Sequence, residues 1–104
     1  MKTVIGLVTC SNSTEAKKIA KHLLEKKLVA CCNIVPEIES IYLWKGEVKQ
    51  GSEALLIVKT REQLKEKVQE EIEKIHSYEL PVIEFIETEL SSKACKWIEK
   101  ETKE

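Results

Sequence analysis

Val29-Ala30-Cys31-Cys32-Asn33-Ile34-Val35, then Pro36, then the alternating Ile38-Glu39-Ser40-Ile41-Tyr42-Leu43-Trp44, read as one long strand that ends at Lys45-Gly46. Lys45-Gly46 is a turn signal, and a second long strand follows from about Glu47 to Lys59, closing on the apolar run Ala54-Leu55-Leu56-Ile57-Val58. Each arm is more than twice the modal strand of roughly 5 to 6 residues, so the distal half of the hairpin must project past the body of the molecule. That projecting half carries Ile38, Ile41, Tyr42, Leu43, Trp44 and Val48. So much apolar surface requires a cover, and a second copy of the chain is the economical one.

Outward from the hairpin, Thr3 to Thr9 is short, β-branched and apolar on both alternating faces, as a covered central strand requires. Gly6 within it leaves room for a close approach. Ala16, Ile19, Ala20, Leu23, Leu24 and Leu28 form a helical stripe behind Asn12 and Glu15, placed as N-cap and N3. On the other side, Thr60 and Gln63 read as a capping pair for a helix with Leu64, Val68, Ile72 and Ile75 on its apolar face. Leu80 to Thr88 reads as the fourth strand, with Pro81 favouring an edge or the strand's start. Ser91 or Ser92 caps a last helix holding Ala94, Trp97 and Ile98. The order is βαββαβ, an α+β, ferredoxin-like sandwich with a long hairpin between strands two and three and an extra C-terminal helix. Residues 1–104 form one domain, with both main helices on one face of a four-stranded antiparallel sheet.

Acidic and basic residues nearly cancel, 18 against 17, and are interleaved, so nothing resembles a phosphate-binding stripe and no nucleic-acid partner is expected. No apolar run approaches the roughly 18 residues of a membrane span, and Met1-Lys2-Thr3 runs into a strand rather than a signal peptide. A cytoplasmic location is the expectation. Cys10, Cys31, Cys32 and Cys95 lack any C-x-x-C spacing. Strand alternation sends Cys31 and Cys32 to opposite faces, so reduced, buried thiols are expected rather than disulfides.

His22 lies off the apolar stripe beside Lys21 and reads as a solvated surface residue. His76 ends the second helix, where an imidazole can cap a carbonyl, and Tyr78 and Glu79 add a phenol and a carboxylate nearby. Cys10, Cys31 or Cys32, and His76 can approach one another through the fold, because strands one and four are neighbours in this topology. Cys10 and His76 are thus the candidate metal ligands. Cysteine catalysis needs a thiol beside a base; with two histidines and no third partner, no enzymatic role is expected. Phosphate loops of the G-x-x-x-x-G-K type are absent.

The same segments, in order, resemble the motifs of the CutA divalent-cation tolerance family over nearly the whole chain. Leu28 to Pro36 is similar to its second-strand signature, and Ser40, Tyr42, Trp44 and Gly46 to its S-x-Y-x-W-x-G hairpin. Glu53, Leu55, Leu56 and Lys59-Thr60 fit its third strand, and His76-Ser77-Tyr78-Glu79-Leu80-Pro81 its H-P-Y-E-x-P segment. The resemblance implies a homotrimer whose hairpins pair across subunits, and a role in tolerance of divalent metals, copper in particular. It requires no obligatory cofactor. It also implies an intersubunit ligand cleft formed by Cys31, Asn33, Trp44, Glu53, Lys59, His76 and Tyr78, with Trp44 from a neighbouring subunit. Lys59 and His76 would give that cleft positive charge suited to a small anion, or Lys59 would instead pair with Glu53. The alternatives are a PII-like trimeric signalling or assembly module that docks a protein partner, and a thiol redox enzyme. This chain departs from the family pattern at Cys10-Ser11, Ser77, Val82 and Ala94. Val8 stands where some members carry a copper-associated cysteine, and Cys10 offers a substitute thiol.

Overall fold

A computed structural model describes residues 1–103. The elements are β1 (Thr3–Cys10), α1 (Ser13–Glu25), β2 (Cys31–Trp44), β3 (Glu47–Arg61), a 3-10 turn (Glu62–Leu64), α2 (Lys65–Ile75), β4 (Ile83–Thr88) and α3 (Ser92–Glu101). The sheet order is β2-β3-β1-β4 with every neighbour antiparallel, the ferredoxin-like arrangement the alternation implied.

Antiparallel partners share a face, so the register sorts the core. Val4, Gly6, Val8 and Cys10 pair with Thr60, Val58, Leu56 and Ala54, and all eight are buried. Val8, Cys10, Ala54, Leu56 and Val58 of this face cluster with Ala16, Ile19, Ala20 and Leu23 of α1 and Val68 and Ile72 of α2. The opposite face carries Ile5, Leu7, Leu55, Ile57 and Lys59, half-exposed. Only its end is closed, where the Arg61 guanidinium donates to the carbonyls of Thr102 (2.9 Å) and Lys103 (2.7 Å) and holds the end of α3.

α1 starts as its sequence requires: Asn12 Oδ1 accepts the Glu15 N–H at 2.9 Å. The reciprocal bond is displaced by one residue, because Glu15 Oε1 accepts from Ser11 N–H and Oγ–H rather than from the cap itself. α2 does not start as expected. Thr60 stays in β3, paired with Val4, and its buried hydroxyl donates to the Leu28 carbonyl at 2.6 Å. Among the described residues that carbonyl has no other donor, so the strand ladder wins over a cap. The chain then passes through the 3-10 turn, and α2 begins without a side-chain cap.

His22 is not simply solvated. Its Nε2 donates to Glu71 Oε1 at 2.9 Å, and Lys26 and Lys74 reach the same carboxylate at 3.1 and 2.8 Å. Helix packing creates this node between α1 and α2, and these three hydrogen bonds hold the Glu71 carboxyl down at about 2.

Lys45 and Gly46 both adopt positive φ (52° and 80°), the geometry of a tight hairpin turn. The register slips between Val35 and Ile38, around Pro36, which has no N–H for the ladder. β1 ends at Cys10, opposite Ala54, so the hairpin beyond that level has no third strand. β4 lies at an edge but begins at Ile83 rather than Leu80, leaving residues 77–82 as a segment outside the ladder.

Candidate functional site

The chemistry-bearing residues fall into three groups. The first gathers where β1 ends, α1 begins and α2 stops. Cys10 Sγ, a Glu15 carboxylate oxygen and a His76 ring nitrogen lie within 4.8 Å of one another. Each has partners. His76 Nε2–H donates to the Thr9 carbonyl at 2.9 Å, and Nδ1 accepts the Tyr78 N–H at 3.1 Å. A carbonyl can only accept and an amide N–H only donate, so these two bonds fix the tautomer. Cys10 is fully buried; burial first, then the charges of Glu15 and Glu53, push its thiol up to about 12. It is therefore no activated nucleophile.

Glu15 is the member that sequence reading missed as a donor. Its place three residues after the N-cap, beside Cys10, was the available signal. Burial opposes its ionisation, but hydrogen bonds from Ser11 and Ser77 outweigh it and lower the carboxyl from 4.5 to about 2. With the folded value depressed, the stabilisation is complete above pH 4.5 and disappears as pH falls through 2. After solvent screening this amounts to about 1–2 kcal/mol. Urea unfolding of Glu15→Gln should therefore show a flatter acid limb than the unaltered chain between those pH values. An identical limb would remove Glu15 as its cause.

The second group lines a groove of about 670 Å³ between the hairpin and residues 77–82. Tyr78 O–H donates to Glu53 Oε2 at 2.5 Å, while its ring packs tilted against His76 with centroids 4.7 Å apart. Burial, then the bond to Glu53, pushes the phenol upward from its usual range. Tyr42 and Trp44 complete the wall, and both come from the same chain. A neighbour's Trp44 is thus not needed to form this groove.

Cys31, Asn33 and Lys59 make the third group, on the sheet face away from α1 and α2. Lys59 pairs with Cys31, whose thiol donates to Asn33 Oδ1 at 3.8 Å. Lys59 and Glu53 are six positions apart on one strand, roughly 20 Å at the usual rise. Within one protomer, therefore, Lys59 cannot share a groove with Tyr78, nor pair with Glu53. Within one protomer the residues expected in the intersubunit cleft thus fall into separate groups, and the groove itself keeps the acidic residues Glu53 and Glu79.

A sandwich of this order with a projecting hairpin defines a class of small ferredoxin-like proteins. The chain belongs within it to the CutA1 divalent ion tolerance protein family, whose profile matches residues 4–101. It is 42% identical over 93 residues to the divalent-cation tolerance protein CutA of Archaeoglobus fulgidus, covering 88% of this chain and 90% of that one. It is 41% identical over 102 residues to the chloroplastic protein CutA of Arabidopsis thaliana, covering 97% of this chain and 56% of that one. The chain thus spans about half the length of that relative. Among solved structures, CutA1 of Oryza sativa superposes with a TM-score of 0.95 at 35% identity, covering 100% of this chain and 96% of the other. CutA1 of Pyrococcus horikoshii gives 0.92 at 33%, covering 97% and 99%.

Proposed function

We propose that this chain is a non-catalytic, homotrimeric divalent-cation tolerance protein that takes up a soft or borderline metal ion, copper in particular, and holds a small ligand in the groove beside Glu53 and Tyr78. The observation that carries the metal reading is the convergence of sulfur, nitrogen and carboxylate donors at Cys10, Glu15 and His76. The donor types and spacing fit such an ion as cargo. Their present hydrogen bonds set the selectivity. An ion must displace the Tyr78 N–H from the Nδ1 lone pair of His76, or the Nε2 proton that the Thr9 carbonyl holds, and in either case the proton from a thiol held at about 12. Only a thiophilic ion strong enough to deprotonate a coordinating thiol does this.

The trimer reading is supported by the uncovered hairpin, and a cytoplasmic setting by four free thiols. No helix among the described residues is long and apolar enough to cross a membrane. Titration of the purified protein should show Cu(II) or Zn(II) bound in preference to Mg(II). His76→Ala should weaken that binding by about tenfold or more, the loss of one of three ligands. Equal binding of Mg(II), or unchanged affinity in His76→Ala, would remove the metal from this cluster.

A further inference from the structure

The groove's wall chemistry specifies its ligand more narrowly, and the following step rests on the reading of that groove as a ligand site. Three aromatic rings, Tyr42, Trp44 and Tyr78, stand around it together with the carboxylates of Glu53 and Glu79. Among the described residues none of its lining is basic. Aromatic faces carry the negative lobe of the ring quadrupole, so rings and carboxylates here act with the same sign. An ammonium already uses one of them: Lys45 Nζ lies 5.8 Å from the centroid of the Trp44 ring.

We propose that the groove binds an alkylated ammonium ion. Among the lining side chains an anion finds no partner charge, and the neighbouring Lys45 ammonium is already placed over Trp44. A bare metal ion would use the carboxylates and gain nothing from the three rings or from the exposed Leu80 and Val82. A cation wrapped in methyl or methylene groups uses all of them: its charge meets the rings and Glu53, and its apolar shell meets the leucine and valine. Tyr78 holds the Glu53 carboxylate in place by donating to Oε2, which fixes the charge at the groove wall.

The test is calorimetric titration of the intact protein with choline and with its uncharged isostere, in which carbon replaces the quaternary nitrogen. Choline should bind about tenfold more tightly than the isostere, the size of a partly desolvated cation–π and charge contribution. Glu53→Gln keeps an acceptor for Tyr78, and Trp44→Leu keeps apolar bulk; each should weaken choline binding about fivefold or more. Equal binding of the isostere would reduce the groove to an apolar slot and overturn the proposal. So would choline binding that neither variant alters, or no binding at millimolar choline. Because the groove is complete within one chain, sedimentation of the same samples tests the trimer separately. A monomeric wild type that prefers choline would remove the trimer and leave this inference standing.

Discussion

Replacing Ile41 and Leu43 together by Asp is expected to leave a folded 11.9 kDa monomer, whereas the unaltered chain, on the proposal made above, is expected to sediment as a trimer. Ile41 and Leu43 share one face of β2, and Val48 joins them through its pairing with Leu43. They are 68%, 73% and 72% exposed in the protomer, at a level of the hairpin that no third strand reaches. Burying a Leu or Ile side chain contributes about 1.5–3 kcal/mol, and the stripe recurs in every copy of the chain. Two carboxylates on that face forfeit this and put unpaired charge into the interface, which sets the expected outcome at complete dissociation at micromolar concentration. The protomer itself should keep its circular dichroism, since neither side chain touches the core formed by the helices. A variant that remains trimeric, or a wild type already monomeric, would show that this face is not the interface.

What was legible in the sequence is what rests on periodicity. Thr3 to Thr9 and Ala54 to Val58 read as apolar on both faces, and only the fold selects Val8, Leu56 and Val58 for the core, whereas the helical stripe of Ile19 and Leu23 fixes the buried face of its helix. The hairpin's length and its uncovered tip were readable for the same reason. Thr60 was misread because its sequence neighbourhood is that of a cap, while the demand that placed it comes from the Leu28 carbonyl, 32 residues away. His22 was misread likewise, since Glu71 reaches it only through helix packing. The candidate site suffered most. Which of Lys59, Glu53 and Tyr78 share a groove depends on distance along β3 and on how residues 77–82 lie against the hairpin. The first follows from the six-residue spacing and the strand rise and was readable, while the second is set by packing and is not encoded in local pattern.

Gly6→Val is expected to lower the melting temperature by about 10–20 °C at equal protein concentration. The reason is space, not backbone conformation. β1 is central in the sheet, and Gly6 pairs with Val58 on one side and Phe85 on the other. A Cβ at this position would stand 2.9 Å from Val58 Cγ2 and 3.1 Å from Phe85 Cε1, before any branch is added. Overpacking a filled core costs about 1–3 kcal/mol, and a β-branched side chain between two such neighbours belongs at the upper end or above it. In a domain of this size each kcal/mol moves the midpoint by about 4–8 °C. The milder Gly6→Ala isolates the cause. Combined with Val58→Ala, which removes the nearer obstructing methyl, it should cost less than the sum of the two single changes. Strictly additive costs would mean that the contact with Val58 is not what keeps a glycine in the middle of this strand.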